Sequence, residues 1–428
     1  MSGPLADGFI SRRSAWWLAA FFLLSLLCDE LAIHLVATQP AGDELDYHLL
    51  AVNLIGGAGF AIEPGHPIAF RPPLYPAFLA GIYALFSSHY EAAWHVQAVL
   101  NSGMVVLVYL LGRRFFSESV ALCGAGLYAV YPTFDIVTQL HRENLLVPLF
   151  VGCLYALVGG IQERRSRWFW CAGVLAGALT LTNSAFLYLP VGFLLLGLLD
   201  RRMRPYVGRV AGLFVIAFLL WVPWQVRTHS LPGAGQEIAE FQHVVLMFGH
   251  YPLFAGRYWW TVSDMRQLER ERDEARAFLR DRARGAANLS WEERLAKDRL
   301  DLRERILARP GRYAQLVFNR LLILLGSPPP GTSFVREQSP ALAGALFVAN
   351  LGFVGGALAL LLRTYRRDAS AWPLVAGVVY CLVVFGLTHS IRRYGYVLTP
   401  LWCVYAAGVM NYLRAPIGAA DGETDAAR

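Results

Sequence analysis

The chain has 428 residues, of which 56% are hydrophobic and only 16% charged, and its formal net charge is +7. This balance excludes an ordinary soluble globule and a disordered polar chain. It does not point to nucleic acid either, because the arginines cluster in short connections between apolar runs, where the positive-inside bias puts them. Apolar runs of roughly 17 to 25 residues recur, each long enough to cross a hydrocarbon core of about 30 Å as a helix. Lipid offers the backbone no hydrogen-bond partners, so the expected fold is all-α, a polytopic bundle of about ten spans. The six cysteines (Cys28, Cys123, Cys153, Cys171, Cys381 and Cys403) all lie in apolar runs without metal-type spacing, and read as lipid-facing or core residues.

The first apolar run, Ser14–Leu35, is too long for a cleavable signal and reads as a retained span. Arg12 and Arg13 put its amino end in the cytoplasm, so the acidic segment after it emerges on the far side. That first outer loop, residues 38–91, carries "GDELDYH" and "HPIAFRPPLYPAFLAGIYALF". The run Pro72–Phe86 is short for a span and reads as a juxtamembrane or re-entrant helix. Ala92–Gly112 returns to the cytoplasmic pair Arg113 and Arg114. Val120–Ile136 then leads out, and Leu145–Ile161 leads back to the basic "ERRSR". Trp168–Leu199 forms a pair of spans broken near Thr182–Ser184 and ends at "RRMR" (Arg201–Arg204). Tyr206–Val226 leads out again.

From residue 227 to 339 the chain changes character. Acids and bases alternate with apolar residues at helical spacing, which fits salt-bridged helices on the outer membrane surface. Within this region Ala314–Pro330 is apolar but reads as interfacial, since a crossing there would put "RTYRR" (Arg363–Arg367) outside. Ala341–Leu362, Trp372–Thr388 and Tyr396–Leu413 complete the spans. The domain reading is therefore 1–226 as an amino-terminal transmembrane module, 227–339 as an outer helical region, 340–413 as carboxy-terminal helices, and 414–428 as a disordered cytoplasmic tail.

On this topology four distant polar clusters share the outer face. They are residues 42–48 together with 66–73, "QLHRENLL", "WVPWQVR" and "THSIRRYGY". Arg392 and Arg393 sit where the charge rule disfavours arginine, which calls for an anionic ligand or lipid phosphates. A guanidinium fork matches phosphate bidentately. Carboxylates beside such arginines suit chemistry on an anionic, lipid-linked substrate: Asp43 as general base toward an acceptor hydroxyl, arginines neutralising a phosphate leaving group. Glu44 and Asp46 read equally well as first-turn acids of a helix. Glu143 either pairs simply with Arg142 or joins the site. A divalent metal on Asp43, Glu143 and His141 stays open, without a spacing signature for it.

Taken together these residues resemble the GT-C superfamily of polyprenyl-phosphate-sugar-dependent glycosyltransferases, in the branch similar to protein O-mannosyltransferases and the lipid A aminoarabinose transferase. "DELDY" is similar to the family's Asp-Glu-x-x-Tyr, "RPPLYPAFL" to its basic-Pro-Pro-Leu helix, and "HRENLL" to its second acidic outer loop. "PWQVR" and "RRYGYVLTP" resemble its Pro-Trp-x-x-Arg and Arg-Tyr-x-x-x-x-x-Pro segments. Asn183 and Thr228 depart from the family pattern. The resemblance implies a GT-C-type bundle with outer-face juxtamembrane helices in a bacterial inner membrane, its site facing the periplasm. It implies a sugar on polyprenyl phosphate as donor, a hydroxyl of a lipid, glycan or protein as acceptor, inversion, and no nucleic acid partner. Asp43 and Glu143 would be catalytic, and Arg71, Arg227, Arg392, Arg393 and Tyr394 would hold the donor phosphate. Glu44, Asp46, Tyr47, His66 and His141 would line the acceptor side. Rival readings are a flippase for lipid-linked sugars and a non-catalytic assembly subunit.

Overall fold

A computed structural model describes residues 10–86, 89–255, 265–326, 339–389 and 392–414. The described residues form helices almost throughout, with one two-stranded hairpin, β1 (Ala61–Glu63) against β2 (His66–Pro67). Helix α1 (Arg12–Val36) starts at Ser11, whose side chain accepts from the Ser14 amide. Helix α2 (Asp43–Ile55) carries Asp43, Glu44 and Asp46 in its first turn, where the helix dipole favours negative charge. The hairpin follows, then α3 (Leu74–Phe86), α4 (Tyr90–Arg113), α5 (Glu118–Val130) and the single turn α6 (Phe134–Val137). Helices α7 (Glu143–Gln162), α8 (Ser166–Thr182), α9 (Leu189–Leu199) and α10 (Val207–His229) come next.

Six helical stretches are long and apolar enough to cross a membrane: Arg12–Val36, Tyr90–Arg113, Glu143–Gln162, Arg201–His229, Gly344–Arg367 and Ala369–Leu387. The other expected crossings fall on shorter helices. Val120–Ile136 does not run as one helix. It stops at Val130, because Pro132 restricts the residue before it, and 13 residues give roughly 20 Å. Helix α9 has only 11 residues, bounded by Tyr188 and Asp200. The chain is nonetheless a multi-pass helical membrane bundle. Its main core joins α4, α5, α7 and α8 to the carboxy-terminal helices α15 (Pro340–Arg367), α16 (Trp372–Leu387) and α17 (Thr399–Arg414). Small residues let helices approach closely. A Cβ on Gly177 of α8 would lie 2.6 Å from Leu220 Cδ1 and 3.3 Å from the Ala217 Cα of α10.

Between α10 and α15 lie α11 (Ala234–Ala255), α12 (Met265–Gly285), α13 (Trp291–Ala308) and α14 (Pro310–Gly326). They enclose a small core of their own around Met247, Leu253, Leu302 and Leu316. Helix α13 opens with a capping box of Ser290 and Glu293. Asp298, buried at its centre, is bound by Arg282 and His243.

The basic turns gather at one end of the bundle. Ser11 and Ser14 donate to Glu118, beside Arg113 and Arg114. Arg114 reaches Glu163 over 2.9 Å, Gln162 donates to Ser370 Oγ, and Arg202 donates to the Tyr365 carbonyl. The polar clusters of the first loop, the start of α7 and the turn Arg392–Leu398 meet elsewhere, around α2 and α3.

Candidate active site

Asp43 opens α2 directly after Gly42, whose φ of 59° is a backbone geometry that favours glycine. Its carboxylate is gripped from two directions. Arg71 Nη2 donates to Oδ1 over 2.8 Å, and Arg393 Nη2 donates to Oδ2 over 2.7 Å. The same Arg71 nitrogen donates to Asp46 Oδ2. The Arg71 side chain is 7% exposed while that of Asp43 is 42% exposed, so the arginine is enclosed and the carboxylate is the accessible partner.

Aromatic rings hold the Arg71 guanidinium in place. Its Cζ lies 5.1 Å from the Tyr47 ring centre, 5.2 Å from Phe70 and 5.7 Å from Phe241. Tyr47 in turn meets Tyr75 edge-on at 5.0 Å, and Tyr75 donates to Gln97, which anchors the carbonyls of Val137 and Gln139. This chain of contacts ties α2 and α3 to α4 and to the loop that precedes α7.

That loop supplies the second wall. Arg393 Nη1 lies 3.1 Å from the ring nitrogens of His141, and its Nε is 3.7 Å from Glu143 Oε1. Arg142 Nε approaches the same Glu143 oxygen at 3.8 Å. Glu143 is 1% exposed, and neither carboxylate oxygen has a hydrogen-bond partner among the described residues. Glu44 Oε2 accepts from the Leu140 amide, so it fastens the loop to α2.

The electrostatics follow from this geometry. Burial raises the Asp43 pKa, but the charges and hydrogen bonds of Arg71 and Arg393 outweigh it and hold the carboxyl well below the usual range. Glu44 goes the other way, raised by burial and only partly offset by the Leu140 amide and Arg393. Burial, then Arg393, push His141 down to about 4, against the pull of Glu143 and Asp43. At neutral pH His141 is therefore an uncharged acceptor for Arg393.

Asp43, Asp46, Arg71, His141, Glu143 and Arg393 thus come together, with Tyr47 and Glu44 behind them. Tyr394 packs tilted against Phe385 at 4.7 Å beside the same segment. The Arg392 side chain lies outside the described residues. Arg227 is not brought to Asp43: it donates to the carbonyls of Ile68 and Phe60 and packs on Trp224, so it braces the hairpin. His66 lies exposed in β2. The candidate metal set is Asp43, Glu143 and His141. Among the described residues no three His, Cys, Asp or Glu side chains form a metal-holding group. The Arg393 guanidinium lies against all three, and a fixed cation there does not fit a second one.

Two contributors escape the motif reading. Glu237 of α11 accepts from the Ala69 amide over 2.9 Å, and the Phe241 ring packs tilted against Phe70 at 5.0 Å, so α11 buttresses the Arg71 loop. Arg142 appeared only as an ion-pair partner of Glu143, yet its Nε is buried and has no hydrogen bond among the described residues.

The family model for dolichyl-phosphate-mannose-protein mannosyltransferase matches residues 70–224. By sequence, no curated protein matches the chain. Similar solved structures include ArnT from Cupriavidus metallidurans bound to undecaprenyl phosphate, at 14% identity and a TM-score of 0.54 over 93% of this chain and 60% of that one. The Archaeoglobus fulgidus oligosaccharyltransferase in complex with Zn and sulfate aligns at 15% identity and a TM-score of 0.53, over 93% of this chain and 49% of that one. The chain shares its fold with these two membrane proteins. It spans about half to three-fifths of their length. At such identities the likeness speaks for architecture, and the chemistry must be argued from the side chains.

Proposed function

We propose that the chain is a membrane glycosyltransferase that moves a sugar from a polyprenyl-phosphate donor to a hydroxyl group, with Asp43 as general base. The observation that carries this reading is the grip of Arg71 and Arg393 on an accessible carboxylate. A donor phosphate entering there competes with Asp43 for both guanidiniums. As they turn to the phosphate, the interactions that depress the Asp43 pKa weaken and its proton affinity rises. Donor binding and base activation are then one event.

In the transfer itself the acceptor oxygen forms a bond to the anomeric carbon as the bond from that carbon to the phosphate oxygen breaks. The hydroxyl proton goes to the Asp43 carboxylate, and the leaving phosphate keeps the electron pair beside Arg71 and Arg393. Attack opposite the leaving group inverts the anomeric centre. Glu143 lies behind Arg393 and balances its charge together with that of Arg142, and neutral His141 sets its orientation. No step is routed through a metal, given the arginine against the three side chains that would bind it.

The similar ArnT structure is bound to undecaprenyl phosphate, and a second Archaeoglobus fulgidus structure is a complex with an inhibitory peptide and a dolichol-phosphate. Both support a lipid phosphate as the donor carrier and leave lipid, glycan and protein hydroxyls as acceptors. The arrangement of basic turns at the opposite end supports a site on the outer, periplasmic face of a bacterial inner membrane. The deciding assay is sugar release or transfer by the purified chain in detergent with a panel of polyprenyl phosphate sugars. Turnover that survives in Asp43→Asn, or none with any sugar in wild type, sinks the proposal. The second result would favour a flippase, which detergent assays cannot score.

A further inference from the structure

Arg320 of α14 is 4% exposed, and its hydrogen bonds among the described residues all go to main-chain carbonyls. Nη1 donates to Gly386 and Leu387, each over 3.0 Å, and Nη2 donates to Gly249 over 2.6 Å. One guanidinium therefore joins three elements: α14, the end of α16 and the middle of α11. A buried cation is costly unless its donors are satisfied, so a junction built on it is held in one geometry.

The junction brackets the segment that carries Arg393. Before Arg393, a Cβ on Gly249 would lie only 2.7 Å from the Thr388 carbonyl oxygen and 3.3 Å from the His389 Cβ, and Phe248 meets the His389 ring at 5.8 Å. After Arg393, a Cβ on Gly395 would lie 2.6 Å from the Leu324 carbonyl oxygen, one turn along α14 from Arg320. Both contacts need glycine for the backbone to approach. Further toward its amino end the same α11 supports the other phosphate-facing arginine, through Glu237 on the Ala69 amide and Phe241 beside Arg71.

We propose that Arg320 is a positioning residue for the donor phosphate: by locking α11 to the end of α16 it sets the distance between the Arg71 loop and the Arg393 segment. It touches neither donor nor acceptor and acts through Arg393. The proposal rests on the donor reading above, so its test has one arm that needs no ligand.

In hydrogen–deuterium exchange on the purified full chain, peptides covering Arg393 exchange faster in Arg320→Ala than in wild type, while peptides of α4 and α7 are unchanged. Gly249→Ala, which strains the same junction without altering charge, gives the same pattern. Unchanged exchange around Arg393 in both variants overturns the proposal whatever the protein binds. In the second arm, undecaprenyl phosphate binding weakens about tenfold in Arg320→Ala, and Arg320→Lys recovers part of the loss. In an Arg393→Ala background, Arg320→Ala adds less than about twofold, because the arginine it positions is gone. Losses that multiply in full show a general structural effect and overturn the proposal. If wild type binds no undecaprenyl phosphate, the donor reading fails and the exchange arm alone decides the positioning role.

Discussion

Arg71, almost wholly buried, donates over 2.8 Å to Asp43, whose carboxylate is 42% exposed. The rigid partner of this pair is the cation and the reachable one is the anion. An incoming phosphate therefore meets Asp43 first, as a competitor. Asp43→Asn removes that competitor, so the variant is expected to bind undecaprenyl phosphate more tightly than wild type, by about threefold or more, while its transfer rate falls at least about a thousandfold. Binding by thermal shift and single-turnover transfer measure the two separately. A variant that loses both has lost the site, not the base.

Arg71 and Arg393 hold Asp43 by different routes, and their loss should differ. Arg71→Met removes a partner from Asp46 as well as from Asp43, whereas Arg393→Met removes one from Glu143 and His141 as well as from Asp43. Each is expected to raise the donor KM about tenfold to a hundredfold. Arg71→Lys restores only part, since an ammonium lacks the planar guanidinium that packs among Tyr47, Phe70 and Phe241. Steady-state kinetics with varied donor decides it, and a wild-type KM in Arg71→Lys contradicts a role for the planar group.

Glu143 shows how buried charge is shared. It is 1% exposed and lies 3.7 Å from Arg393 and 3.8 Å from Arg142. Glu143→Gln keeps the shape but leaves two guanidiniums close together without the intervening anion. Breaking a buried pair on one side is strongly destabilising, so the melting temperature should fall by several degrees. Glu143→Asp keeps the charge and should lose much less, as read by thermal unfolding in detergent.

His141 gives a pH test with a definite sign. Its folded-state pKa is lowered from 6.5 to about 4, so between those values the unfolded chain binds the proton and the folded chain does not. Its contribution to stability is complete above pH 6.5 and is lost as pH falls toward about 4. His141→Gln should therefore flatten the decline of melting temperature in that window. A decline as steep as wild type assigns the effect to other groups.

Much of the architecture can be seen in the residues themselves. Apolar runs mark the long helices, and Arg113, Arg114 and Arg201–Arg204 mark the turns that gather at one end. Asp43, Arg71, Glu143 and Arg393 stand out because each is an ionisable group next to a span. Arg227 stands out for the same reason, yet it bends to the carbonyls of Phe60 and Ile68. Sequence position says where a guanidinium begins, not which way its long side chain turns. Arg320 was illegible for a deeper cause. Its partners are main-chain carbonyls, which every residue carries, so no partner residue marks it. The acids and His141 do converge, and the Arg393 guanidinium lies among them.

Asp43 and Arg393 are separated by 350 residues, so one half of the site leaves the ribosome long before the other. During synthesis the early helices present the carboxylate of Asp43 with Arg71 as its one cation. Arg393 arrives only after α16 has been made. On the proposed function, transfer is thereby tied to synthesis of the segment that carries Arg393. A product truncated before residue 393 is expected to enter the membrane and yet transfer nothing, so unfinished copies are silent.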